Sequence, residues 1–160
     1  MSRAHTLPCY LAFKKNPKHR KVMRATVRLK DDDSLEGATQ SGHRVVMDRS
    51  PDVGGQNLGA RPMEMLLLGL GGCAMIDVVL ILRKSRQSFS DIYVEIDAER
   101  ASEAPRVFTR IHLHFAVSAE QIDPKRVERA ISLSVEKYCS ASKMLDAIAE
   151  ITHDFEILSG

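Results

Sequence analysis

Cysteine is scarce in this chain, and what there is lies scattered. Cys9, Cys73 and Cys139 are the only three among 160 residues, and no CxxC spacing occurs. That number is odd and too low for a secreted disulfide scaffold, and the spacing excludes a thioredoxin-type couple or a zinc knuckle. Met1 to Val22 has neither the long apolar run nor the small-residue cleavage pattern of a secretory signal, and Pro8 and Pro17 interrupt any amphipathic transit helix. A cytoplasmic protein in a reducing compartment is expected. Internal repeats and low-complexity segments are missing, which leaves one ordinary domain large enough to bury a core. The net charge is only +2, so a domain built wholly around nucleic acid is not expected.

The charge that is present is uneven. Of 23 Lys and Arg, nine fall in the first thirty residues with no acid among them, which leaves 14 against all 21 Asp and Glu in the remainder. Residues 1–22 are therefore expected to form a flexible basic arm, and residues 23–160 the folded domain. Met23–Lys30 and His43–Asp48 are β-branched and apolar, bounded by Asp31-Asp32-Asp33 and Ser41-Gly42, which predicts a hairpin or meander. Loop chemistry with Gly54, Gly55 and Gly59 follows, and Pro62 suits the first position of a helix.

That helix, about Pro62 to Lys84, carries a single charge, Asp77, between Met65 and Leu82. All-round apolarity predicts burial on every side. Some twenty apolar residues also suffice to cross a bilayer, but Asp77, the glycines and the patterned strands that follow favour the central helix of a soluble protein, with no membrane partner. A helix so apolar is hard to cover within one small domain, and association into a homodimer is the simplest solution.

Beyond it, Tyr93–Arg100 and Arg106–Val117 alternate as half-buried strands. Asp123 offers an N-cap with Pro124 at the first helical position, and Val127, Ile131, Ser134 and Tyr138 mark one face of an amphipathic helix. Cys139 and Ser140 break or join it to a second short helix, and Ile151, His153, Phe155 and Ile157 alternate as a last strand. The order predicts an α+β fold of largely antiparallel sheets around a long buried helix.

Cys73 follows Gly71-Gly72, whose lack of side chains lets a backbone or a small substrate approach the sulfur. Packing as a small hydrophobe is the plainer role for such a cysteine. Cys139 stands at a helix boundary, where the N-terminal end of the next helix favours thiolate. A free thiol with a pKa of about 8.5 is only about 3% ionised at pH 7, so such a shift matters. Glu64, nine residues before Cys73, lies on the opposite face of an ideal helix and about 13 Å along it, so it does not touch the thiol directly. His112 and His114 form an HxH on one strand face, which with His43 and a cysteine is weak evidence for a metal without further ligand spacing. No metal is expected. His153 is expected to be a hydrogen-bonded core histidine.

Pro62-Met63-Glu64-Met65-Leu66, Gly71-Gly72-Cys73 with Ile76-Asp77-Val78-Val79, and Glu136-Lys137-Tyr138-Cys139-Ser140 together resemble the OsmC/Ohr family. Gly42-His43, Phe108 to Phe115 and Ile151-Thr152-His153 are similar to its YhfA-like branch, and the likeness runs in order from Met23 to Ile157. The resemblance implies an OsmC-like fold and an intertwined homodimer with two central helices back to back and active sites at the subunit interface. It implies a thiol-dependent peroxidase acting on organic or small hydroperoxides in oxidative-stress defence, with Cys73 peroxidatic and Cys139 resolving. It also implies an activating Arg–Glu pair, for which Glu64 and Arg28 are the candidates, with Arg44 next. No bound cofactor is implied, only an external dithiol or lipoyl-type reductant. The alternative is a non-catalytic ligand-binding or structural homodimer that uses the apolar pocket around Cys73.

Overall fold

The computed structural model describes residues 22–160, so the basic arm, apart from Val22, and Cys9 lie outside the described residues. Turn chemistry shapes the first sheet. Asp32 accepts from the Ser34 N–H at 3.0 Å and from its hydroxyl at 2.5 Å, and Gly42 takes a φ of 90°, open to glycine at no steric cost. Between these turns run β1 (Ala25–Leu29), β2 (Leu35–Thr39) and β3 (Arg44–Met47), an antiparallel meander. The sequence signals cover only its outer strands. β2 reads Leu-Glu-Gly-Ala-Thr, weak strand chemistry, yet it is the central strand, and Gly37 in it leaves room for Val45.

The second sheet holds β4 (Asp91–Arg100), β5 (Phe108–Ser118) and β6 (Glu150–Leu158). β4 and β5 pair antiparallel, whereas β5 and β6 run parallel, since the chain returns between them through the helices. Alternation sends Ile111, Leu113, Phe115 and Val117 into a core where none is more than 1% exposed, at about 1.5–3 kcal/mol per buried side chain. The expected α+β architecture is present: the helices cover one face of this sheet, and its other face is polar.

α1 (Pro62–Lys84) has the predicted boundaries. Its N-terminus is fixed by a capping box in which Glu64 accepts from the Arg61 N–H at 2.8 Å and from the Arg61 guanidinium at 2.7 Å. The expected burial on every side is not what one chain provides. Leu70, Gly71, Ala74, Val78 and Leu82 are buried against β4 and the later helices, while Leu66, Ile76 and Leu80 on the far side are 49%, 62% and 58% exposed. One sheet and two short helices cover only one side of a 23-residue helix. α1 is also long and apolar enough to span a bilayer by length and composition.

α2 (Pro124–Leu133) opens as predicted, with the Asp123 carboxylate accepting from the Lys125 N–H at 3.0 Å. Its apolar face does not continue to Tyr138. Ser134–Tyr138 form a π-turn, in which the Cys139 N–H donates to the Ser134 carbonyl at 2.8 Å. The extra residue shifts the helical phase, so Val135 is buried and Tyr138 is 52% exposed. α3 (Ser140–Leu145) follows at once.

Candidate active site

The two central thiols are brought together by the contact of α1 with the π-turn. Both are free, Cys73 half-buried and Cys139 fully buried. Ser134, at the start of the π-turn, donates its buried hydroxyl to the Ala74 carbonyl at 2.9 Å, which fastens this turn to α1 one residue past Cys73. The result is that the Cys73 side chain is a neighbour of Cys139, near enough to disfavour its ionised form.

Cys139 is itself the N-cap of α3, its sulfur accepting from the Ser142 N–H at 3.4 Å. The expected pull toward thiolate exists but is outweighed. Burial pushes the Cys139 thiol above its ordinary value, against the Ser142 hydroxyl and N–H, and the neighbouring Cys73 sulfur adds to the upward push. The Ser142 hydroxyl, 1% exposed, lies by this sulfur without a well-formed hydrogen bond to any group among the described residues.

The two glycines before Cys73 do different things. A Cβ on Gly71 would meet Ile96 Cδ1 at 2.8 Å, so this glycine permits close packing of α1 on β4. A Cβ on Gly69 or on Gly72 would meet no other part of the described chain within 4 Å. Leu66, Gly69, Gly72, Ile76 and Leu80 recur every three or four residues and form one exposed stripe, and Cys73 stands at its margin.

Within one chain the candidate Arg–Glu pair does not assemble. Glu64 is held by Arg61, whose N–H and guanidinium lower its carboxyl below the usual range. Arg28 is exposed on β1 opposite Glu36, and Arg44 forms an ion pair with Glu36. Arg61 went unremarked in the sequence because arginine is an unusual N-cap; the signal was its place three residues before Glu64, directly ahead of Pro62. His153 is half-buried, with Nε2 3.4 Å from Ser132 Oγ, in keeping with a hydrogen-bonded core histidine. His43 sits in the small sheet, its Nδ1 3.1 Å from Ser41 Oγ.

Residues 54–154 match the family profile of OsmC-like proteins. Protein YhfA of Escherichia coli (strain K12) is 42% identical over 137 residues, which cover 86% of this chain and 99% of that protein. Among solved structures, a hypothetical protein from Aquifex aeolicus VF5 superimposes with a TM-score of 0.72 at 26% identity, covering 86% of this chain and 98% of that one. An organic hydroperoxide resistance protein from Legionella pneumophila gives 0.65 at 13% identity, covering 89% and 100%, a likeness of fold.

Proposed function

Because this chain belongs to the family of OsmC-like proteins, we propose that it is a thiol-dependent peroxidase that reduces organic or small hydroperoxides, with Cys73 as nucleophile and Cys139 as resolving thiol. The observation that carries this reading is the direct neighbourhood of two free thiols that lie far apart in sequence. Their environments support the division of labour. Half-buried Cys73 is open to a peroxide, whereas buried Cys139, its pKa raised, stays protonated until a reactive sulfur forms beside it.

In the reaction, the Cys73 thiolate attacks one oxygen of the hydroperoxide, an S–O bond forms and the O–O bond breaks. The leaving alkoxide takes a proton, giving an alcohol and a Cys73 sulfenic acid. Cys139 then gives up its proton and attacks the Cys73 sulfur; hydroxide leaves, combines with that proton as water, and a disulfide remains. Fixed proximity offsets the weak ionisation of Cys139. An external dithiol of the lipoyl type returns both thiols by exchange and becomes a disulfide itself.

The working unit is proposed to be a homodimer. The exposed stripe of α1 and the largely exposed β1 are both apolar surfaces that the chain itself leaves uncovered. A second copy would cover them, and would also be the source of Arg28 near the Glu64 end of α1. Arg28 is then the cation that activates Cys73, and Glu64 is the positioning residue that orients it.

The test is one equivalent of cumene hydroperoxide added to reduced protein without thiol reagents, followed by thiol counting and peptide mass spectrometry. A Cys73–Cys139 disulfide is expected, and Cys139→Ser should instead accumulate a sulfenic acid at Cys73. Intact thiols after peroxide treatment would sink the enzymatic reading and leave a ligand-binding or structural dimer.

A further inference from the structure

The polar face of the second sheet, turned away from the thiols, carries a cluster whose third member the sequence spacing did not reveal. On β5, His112 and His114 flank the fully buried Leu113, so alternation places both imidazoles on the outer face. Parallel pairing with β6 sets Thr152 opposite His112 and Asp154 opposite His114. One oxygen of Asp154 lies 2.5 Å from His114 Nδ1 and 3.3 Å from His112 Nε2. His112, His114 and Asp154 each offer one ligand atom, all within 4.8 Å of one another.

The remaining ring nitrogens are held as well. His112 Nδ1 is 2.8 Å from Thr152 Oγ1, and His114 Nε2 is 3.4 Å from Glu156 Oε1. In the cation-free chain the 2.5 Å contact is a hydrogen bond that His114 Nδ1–H donates to Asp154. A cation taking the place of that proton leaves His112 Nε2 and His114 Nδ1 as lone-pair donors, while His112 Nδ1 and His114 Nε2 give their protons to Thr152 and Glu156. A hydroxyl or carboxylate behind each imidazole is the arrangement that fixes tautomer and ring orientation at histidine metal sites. On the neighbouring strand β4, Glu95 and Asp97 stand opposite His114 and His112 and add negative charge around the pair. Beside His112 opens a cleft of about 290 Å³, bordered by Asp97, Arg110 and Thr152, with room for a solvent ligand.

We propose that His112, His114 and Asp154 bind a divalent transition cation of the zinc class, with three protein ligands and a fourth position open to solvent. Zinc takes imidazole nitrogen and carboxylate oxygen at about 2.0–2.2 Å. In a tetrahedral shell such ligands stand about 3.3 Å apart. Small side-chain rotations bring the three donors to that spacing, with the cation entering between His114 Nδ1 and Asp154. The site is separate from the thiol pair, and it does not depend on the peroxidase reading.

The experiment is calorimetric titration of the full chain with zinc chloride, together with cobalt(II) absorption spectroscopy. Thiols bind both metals, so the titration is run on the wild type and on a variant with all three cysteines changed to serine. One equivalent should bind to the cysteine-free chain. His114→Gln and Asp154→Asn should each weaken it at least tenfold, and Thr152→Val about tenfold through loss of ring orientation. If the cysteine-free chain does not fold, nitrogen NMR shifts of His112 and His114 in the wild type, with and without zinc, read the same contact. The proposal is overturned if those shifts do not move at saturating zinc, or if His114→Gln and Asp154→Asn bind zinc as the parent does.

Discussion

The two sheets of this protein have the same number of strands and unequal means of support. In the second, β5 is buried at Phe108, Ile111, Leu113, Phe115 and Val117 beneath three helices. In the first, every residue of β1 is exposed, with Val27 at 59% and Leu29 at 68%. The same asymmetry runs through α1, covered on one side and open on the other. The strands of the first sheet are therefore held by their own hydrogen bonds and turns, and their apolar side chains are available to something outside the chain. Folding thus leaves one set of apolar residues unused, and if the proposed homodimer buries that set, substitutions can separate folding from association.

The widest separation is expected between Ile111→Ala and Leu29→Ala. Deleting buried methyl groups at Ile111 should cost about 2–5 kcal/mol in denaturant unfolding at any protein concentration. Leu29→Ala should stay within about 0.5 kcal/mol when the chain is dilute, as exposed changes do. A penalty at Leu29 that grows with protein concentration would show that a second copy covers the small sheet.

Next come the glycines of α1. Gly71→Val drives a side chain into Ile96 and should destabilise the chain by about 1–3 kcal/mol. Gly69→Ala and Gly72→Ala meet nothing within 4 Å and should stabilise an isolated chain by up to about 1 kcal/mol through helix propensity. Sedimentation of the same variants sharpens the contrast, because loss of dimer with gain of chain stability identifies the stripe as the contact between copies.

Ser134→Ala removes the buried hydroxyl that fastens the π-turn to α1, an expected loss of about 1 kcal/mol. Its more telling effect should be slower disulfide closure after peroxide, with sulfenic acid at Cys73 forming at the parent rate. Equal closure rates would remove this tie from the account of how the thiols meet.

The smallest effect concerns the joint between the two halves. Asp48, 3% exposed, accepts backbone N–H bonds from Arg49, Gln56 and Leu58 at 2.7, 2.8 and 3.1 Å, and those bonds hold its carboxyl below the usual carboxylate range. A lowered folded-state pKa stabilises above the unfolded value of about 3.9 and loses that contribution as pH falls through the folded value. Acidification below about pH 4 should free the Gln56 and Leu58 amides before those of β5, as hydrogen exchange would register. Asp48→Asn should flatten this dependence, while Asp32, Glu64 and Asp154, also lowered, remain in place.

Periodicity and capping chemistry made most of the fold legible. α1 and the start of α2 could be placed to the residue because Pro62, and Asp123 with Pro124, are strong local signals. β2 could not, since its pairing partners rather than its composition make it a strand. Tyr138 was expected on a buried face because a π-turn leaves no sequence mark that a 3.6-residue period detects. For the site, the cysteines stood out by family motif, but their environments did not: the helix end at Cys139 is readable, whereas the burial that outweighs it is a product of tertiary packing. Asp154 escaped notice beside His112 and His114 for a similar reason. The parallel register that unites them is set across forty residues of intervening helix, loop and strand.

The five-residue reach from Cys139 back to Ser134 makes the meeting of the sulfurs a question of counting. Lengthening Ser134–Tyr138 by one codon would add a residue to a turn that already absorbs an extra one, and would swing everything downstream by about 100°. Hydrophobic content would barely change, but Cys139 would point elsewhere. Among natural variants of this chain, in-frame insertions should therefore be tolerated in the exposed turn between β4 and β5 long before they are tolerated here.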